Sequence, residues 1–447
     1  MTATKPVYLR FLATVLLFAL AMGLRLGAVN NTIIDVPIRA DAADYYNYAL
    51  NLKFHHTYSR QKFSANMPQP DALRAPGYPA FITPFVEHPP TEFMLWKINF
   101  AQALLDSITV LLALGIFRRI MPEGWALGAA FLTAISPHLI SASTYLLTET
   151  LFTFLMMLSL WLMAIMISRN SKLLAVTAGI IVAAAALTRP TLQFFVIPVM
   201  AVLLVSHDRS KHARLVFPLL IGFALAYAPW VMRNLDAIGS SSDPTLTINA
   251  LHHGMYPDFR YQDIPESTGF PYRFDPNSKA VSSSKETILE EIRRRFEDEP
   301  ARHLQWYLLG KPTFLLDWNI LAGMGDVFIY PIIASPYFSQ PVYTLTHKFM
   351  KMLHWPLVIL ALAASVLVWI PGFGKNLPGS TLLTARLLSV VLLYFIALHI
   401  VAAPFPRYGI PLRPVIYGLG IFQCWQILAW IKSALSRESL QPRTQPR

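Results

Sequence analysis

The segment Arg39-Ala40-Asp41-Ala42-Ala43-Asp44-Tyr45, with Tyr48 soon after, follows the first apolar run of the chain. Residues three and four apart share one face of a helix, so Asp41, Asp44, Tyr45 and Tyr48 would line up together. A carboxylate there can take a proton from an attacking hydroxyl or amine, or help hold a divalent cation such as Mg or Mn. The same spacing suits a helix start with Asp41 as the N-cap, and spacing alone favours the cap.

Other charged groups stand beside apolar runs in the same way. Arg74-Ala75-Pro76-Gly77-Tyr78-Pro79 combines a tight bend with an arginine, the side chain that grips a phosphate through two parallel hydrogen bonds. The bland alternative is an interfacial anchor at headgroup level. Glu149, in Leu147-Thr148-Glu149, opens an apolar segment, where the helix dipole welcomes it. Arg189 in Leu187-Thr188-Arg189-Pro190, Arg233 after Pro229-Trp230, and Arg407-Tyr408 stand at the ends of further apolar runs. Any one of these can snorkel to headgroups, but three together suggest a shared anionic ligand.

The elements that must position these groups are membrane spans. Of the 447 residues, 54% are hydrophobic and 14% charged, and mean hydropathy is +0.44. A soluble domain carries about 25% charged residues, so ordinary soluble and disordered classes are excluded. Apolar runs at 11–29, 100–117, 125–143, 150–167, 173–187, 192–205, 215–231, 353–370, 387–401 and 411–431 are read as crossings. Residues 303–320, interrupted by Lys311, Pro312 and Asp317, read as an interfacial helix or a further crossing. The fold class is therefore an all-α polytopic membrane bundle of about 10–12 helices.

The formal charge of +12 needs no nucleic acid to explain it, because the basic residues sit in alternate short connections. Lys5 and Arg10, Arg118 and Arg119, Arg169 and Lys172, Arg209, Lys211 and Arg214, Lys375 and Arg386, and Lys432, Arg437, Arg443 and Arg447 mark one side. By the positive-inside rule both termini are cytoplasmic, in a multi-pass inner-membrane protein. Two long loops, 30–99 and 233–352, then face outward. This divides the chain into residues 1–232 with the first loop, the second loop with interfacial helices, and residues 353–447. The charged stretch 285–302 reads as a solvated helix.

Weaker signals have plain readings. Asp106 lies inside the second span and is expected to be hydrogen-bonded within the bundle, while Arg25 is expected to snorkel. His55-His56 and His252-His253 lack metal-binding spacing and read as solvated loop. Cys424 stands alone, and neither a phosphate-binding glycine loop, nor GxSxG, nor HExxH occurs.

With these motifs in this order, the chain resembles the GT-C superfamily of integral-membrane glycosyltransferases, in the branch of the protein O-mannosyltransferases and lipid A aminoarabinose transferases. The resemblance implies a GT-C-like bundle and transfer of a sugar from a polyprenyl-phosphate carrier to an envelope lipid, glycan or protein, with inversion, on the periplasmic face. It implies that Asp41 is the active-site acid and that basic groups, Arg74 among them, hold the carrier phosphate. Asp44 or Glu149 would be the partner carboxylate, because Ala42 stands where the family often has Glu. Tyr45, Arg189, Arg233, Arg407 and Tyr408 would complete a donor site amid membrane lipids. The competing classes are an O-antigen ligase or polymerase-like enzyme with its key residues in the late loop, and a transporter or flippase built around Asp106.

Overall fold

The computed structural model describes residues 7–438 except 207, 322 and 376. The charges expected at Lys5, Arg443 and Arg447, and the side chain of Arg437, lie outside the described residues.

Helix α1, Val7–Asn31, leads into a first loop holding α2, Asp41–His55, and α3, Gly77–Ile82. Then come α4, Glu92–Ile120, α5, Glu123–Ala134, α6, Pro137–Ala142, α7, Glu149–Arg169, α8, Lys172–Thr188, α9, Val196–Leu204, and α10, Arg209–Ile238. The second loop carries α11, Thr245–Gly254, α12, Ser278–Val281, α13, Lys285–Asp298, α14, Pro300–Gln305, α15, Lys311–Leu316, and α16, Pro336–Ser339. Helices α17, Pro341–Leu367, α18, Gly379–Val401, and α19, Arg413–Glu438, finish the bundle. Strand β1, Ile33–Ile34, pairs antiparallel with β2, Ile332–Ala334, and so ties the start of the first loop to the end of the second.

Among the described residues, seven helical segments are long and apolar enough to cross a bilayer, and α8 and the 190–204 segment are shorter apolar helices. Helix α7, with 21 residues, is ~31 Å long, which matches a hydrocarbon core. It runs from Glu149 at one end to Arg169 at the other, and α8 returns from Lys172 to Arg189. The basic connections and the acid–arginine motifs thus occupy opposite ends of the same helices.

Three expected segments differ in detail. The 125–143 run is two helices, because the chain bends at Ile135-Ser136 and Pro137 opens α6. The 192–205 run begins with a 3-10 turn, Pro190–Leu192, before the nine-residue α9. Residues 300–316 form α14, a π turn and α15, and Lys311 donates to the carbonyls of Ile400 (2.8 Å) and Val401 (3.2 Å). A buried lysine capping the last turn of α18 holds this segment at one end of the bundle.

Arg25 does not snorkel. It is fully buried, and its Nε donates to Asp106 Oδ2 at 2.6 Å. Its Nη1 donates to the Ala134 carbonyl at 2.8 Å and its Nη2 to that of Thr133 at 3.5 Å. One arginine therefore pairs α1 with α4 and satisfies carbonyls freed where α5 stops.

Candidate functional site

Helix α2 starts at Asp41 itself, so the N-cap reading is corrected. The cap position is Ala40, with φ 45° and ψ −123° and no side-chain cap. A non-glycine residue there is strained by roughly 1–3 kcal/mol. With Asp41 in the first turn, its carboxylate is free to point away from the helix backbone.

It points at two arginines from distant parts of the chain. Arg74 Nη2 donates to Asp41 Oδ1 at 2.7 Å, and Arg407 Nη2 to Asp41 Oδ2 at 2.5 Å across 366 residues of sequence. Arg74 also donates to Asp44 Oδ2 through Nη2 (2.8 Å) and Nε (3.0 Å). Glu149, 1% exposed, accepts from Arg189 Nη1 at 3.3 Å, and its Oε1 lies 3.6 Å from Arg407 Nε. Three carboxylates and three arginines thus form one continuous network.

Aromatic rings support the guanidinium groups. Arg74 lies over Tyr45 (5.6 Å), and Arg189 lies over Tyr408 (4.8 Å) and Phe152 (5.6 Å). Arg407 also approaches Tyr408, at 5.5 Å. Tyr45 in turn stands edge-on to Tyr78 at 5.1 Å. Each ring offers its negative face to a cation and fixes where that cation can sit.

Local sequence explains how the parts meet. Pro76 caps α3, and Gly77 faces Thr188 Oγ1 and the Leu187 carbonyl so closely that a Cβ would sit 2.6 and 2.9 Å from them. The missing side chain lets the Arg74 bend seat on the last turn of α8, next to Arg189. Likewise Gly409 permits the Pro406–Leu412 turn to pack on the Leu315 carbonyl, which sets Arg407 and Tyr408 in place.

Electrostatics follow from this enclosure. Burial by itself would raise the Asp41 carboxyl, but Arg407 and Arg74 outweigh it and hold the group well below the usual carboxylate range. Burial pushes the Tyr45 phenol up to about 12 against the opposing pull of Arg74, so it stays a neutral ring. Two buried atoms of the network, Glu149 Oε2 and Arg407 Nε, have no hydrogen-bond partner. They retain capacity for a further polar group.

The structure brings together Asp41, Asp44, Tyr45, Arg74, Glu149, Arg189, Arg407 and Tyr408, and leaves Arg233 out. Arg233 donates to the carbonyls of Asp71 (2.7 Å) and Tyr58 (3.1 Å), with its guanidinium over Tyr58 and Trp230. Tyr58 OH donates to the Arg74 and Ala75 carbonyls, both at 3.1 Å, so Arg233 braces the loop from behind. Arg233→Ala is expected to cost about 1.5–3 kcal/mol of stability and to speed limited proteolysis between residues 58 and 75. An unchanged cleavage rate would refute the bracing role.

Sequence reading missed Tyr330 and Phe152. Tyr330 OH donates to the Arg39 carbonyl at 3.3 Å, and Arg39 lies over its ring at 5.9 Å. Neither aromatic had a spacing signal, because their roles depend on contacts between distant segments. The histidine pair at 252–253 is also corrected: His252 is buried and shares a hydrogen bond with Tyr256 OH at 3.1 Å.

The carboxylates of this network are engaged by arginines. Both oxygens of Asp41 are taken by guanidinium groups, and among the described residues no three His, Cys, Asp or Glu side chains converge. The arrangement suits an anion held among arginines.

Comparison with known proteins agrees with this architecture. The sequence profile of the dolichyl-phosphate-mannose-protein mannosyltransferase family matches residues 76–232. The archaeal oligosaccharyltransferase AglB from Archaeoglobus fulgidus, in complex with an inhibitory peptide and a dolichol-phosphate, is similar at TM-score 0.53 and 16% identity. That match covers 98% of this chain and 53% of AglB. The apo form of the Archaeoglobus fulgidus oligosaccharyltransferase gives TM-score 0.54 at 13% identity, covering 99% of this chain and 53% of the other. The present chain therefore spans about half the length of these proteins. A comparison with curated protein sequences gives no match. By its helical architecture and its likeness to these enzymes, the chain has the fold of the GT-C superfamily of membrane glycosyltransferases.

Proposed function

We propose that this protein moves a sugar from a polyprenyl-phosphate carrier to an envelope acceptor, with inversion at the anomeric carbon, on the outer face of a cytoplasmic membrane. The observation that carries this reading is the carboxylate of Asp41 bridging Arg74 and Arg407 from opposite ends of the sequence. The match of residues 76–232 to a mannosyltransferase family and the fold shared with an enzyme captured with a dolichol-phosphate support it.

In this reading Arg74, Arg189 and Arg407 turn from their carboxylates toward the carrier phosphate. They stabilise the negative charge that grows as the anomeric C–O bond breaks and its electron pair passes to the phosphate. The acceptor oxygen attacks the opposite face of an oxocarbenium-like carbon, and its proton goes to Asp41 or Asp44. Glu149 is a positioning residue, since it touches Arg189 and Arg407 from a buried site. Asp106, the charge around which a transporter would be built, is paired through Oδ2 with the buried Arg25.

In this reading the arginines supply the positive charge, so transfer is expected to persist in excess EDTA. A large loss restored by Mg or Mn would show instead that a cation displaces the arginines from Asp41. The reading as a whole is tested by mass spectrometry of envelope lipids and glycans from cells lacking the protein, together with transfer by the purified protein from polyprenyl-phosphate sugars. A missing sugar decoration, restored by the purified protein, is the expected result. An unchanged envelope together with solute uptake into proteoliposomes would refute it.

A further inference from the structure

The turn that carries Arg407 is a 3-10 helix, Pro406–Leu412, and its seven residues exceed the about three or four that 3-10 hydrogen bonds sustain by themselves. Pro406 and Pro411 fix φ on either side of Gly409, so the turn moves as one piece. Whatever holds its ends therefore sets where Arg407 stands. Tethers lie on both sides of the turn, outside the network around Asp41.

The tether after the turn is Arg413, the first residue of α19 and six residues past Arg407. It is 1% exposed. Its Nη1 donates to His354 Nδ1 in α17 at 2.6 Å, and its Nη2 donates to the Asp317 carbonyl, where α15 ends, at 2.7 Å. A guanidinium only donates, so the buried His354 ring is its acceptor. Both bonds leave one planar fork, which fixes direction as well as distance. At the 3-10 rise, Arg413 and Arg407 are only ~12 Å apart along the chain.

Helix α15 meets the turn elsewhere as well. Lys311, at its start, holds the Ile400 and Val401 carbonyls ahead of the turn, and Gly409 rests on the Leu315 carbonyl in the middle. Past its end, His138 Nε2 donates to the Trp318 carbonyl at 2.7 Å, and His138 belongs to α6, which leads to Glu149. Helix α15 is thus fastened to both segments that deliver Arg407 and Glu149, whose side chains stand 3.6 Å apart.

We propose that Arg413 and His354 are positioning residues for recognition of the carrier phosphate. They hold the turn so that Arg407 reaches Asp41 and Glu149 and, with carrier bound, the phosphate. The inference rests on the transferase reading, in which Arg407 turns toward that phosphate. Stability alone does not call for a buried guanidinium, because replacing buried charged groups with apolar ones is often neutral or stabilising. What the fork adds is direction.

The test compares binding of a polyprenyl phosphate with that of the matching polyprenol by the purified protein in detergent. The ratio of the two affinities separates recognition of the phosphate from that of the chain. Wild type is expected to favour the phosphate, and Arg407→Ala to lose that preference. His354→Leu removes the acceptor and Arg413→Lys removes the fork. Each should reduce the preference about tenfold while polyprenol binding stays unchanged. His354→Gln, which keeps an acceptor oxygen, should restore most of it. Gly409→Ala pushes the turn off Leu315 without touching the buried pair and should give the same selective loss, even if His354→Leu fails to fold. An unchanged preference in the folded variants, or a parallel loss of both ligands, would overturn the inference. If only Arg407→Ala abolishes the preference, the proposed function stands and this inference falls. If wild type shows no preference, the phosphate-carrier reading itself fails and the positioning role falls with it.

Discussion

Asp41→Asn is expected to lower sugar transfer by about 10³-fold, or ~4 kcal/mol in the barrier, while the protein still inserts and folds. Asparagine keeps the shape of the side chain but loses the charge that holds Arg74 and Arg407 on either side of it. It also cannot receive the proton of the attacking group. Single-turnover transfer from a labelled polyprenyl-phosphate sugar measures the effect, and a drop of less than tenfold would take Asp41 out of its role. A stability difference comes with it, and its sign is set by the depressed Asp41 carboxyl. A group with a lowered folded value stabilises the protein above its unfolded value of about 4 and loses that contribution as pH falls toward the folded value. Wild type should therefore exceed D41N in stability at pH 7, and the gap should narrow below about pH 4. A constant gap would mean that the arginines do not hold Asp41 as the geometry indicates.

Asp106→Ala is expected to destabilise the bundle by about 3–5 kcal/mol, because it leaves the fully buried Arg25 guanidinium without its counter-charge. The double change Arg25→Met with Asp106→Leu should recover most of that loss, since apolar side chains of similar size meet no desolvation cost. Denaturation in detergent, monitored by helix content, gives both values. A single variant within 1 kcal/mol of wild type would show that Arg25 finds another partner or water. The consequence reaches the site: Arg25 also satisfies the carbonyls of Thr133 and Ala134, where α5 ends, and α5 and α6 lead directly to Glu149. Loss of the pair is thus expected to loosen Glu149 and, through it, Arg189 and Arg407.

The individual motifs around Asp41, Arg74, Glu149, Arg189 and Arg407 were legible in the sequence because charge beside lipid-length apolar runs is costly and therefore conspicuous. Their convergence was not. Asp41 and Arg407 are 366 residues apart, and no periodicity relates α2 to the turn after α18. Arg233 carried the same sequence signal as Arg189 and Arg407, yet it braces the backbone at Asp71 and Tyr58. An arginine at a helix end looks alike whether it faces a ligand or a loop. Arg25 misled for a similar reason: one turn from the end of a span it reads as a snorkelling residue, and only packing against α4 reveals its buried partner.

Apolar run length was enough to read, from the chain alone, a polytopic helical bundle, and the alternation of basic connections gave the expectation of two long loops on one side. Both depend on the cost of placing charge and unpaired backbone in hydrocarbon, a cost each segment meets separately. Tertiary structure decided which side chains pair, where α5 gives way to α6, and that a strained Ala40 releases Asp41 from capping duty. Those outcomes depend on the close approach of segments far apart in sequence, as where Gly77 lets the Arg74 bend rest on α8.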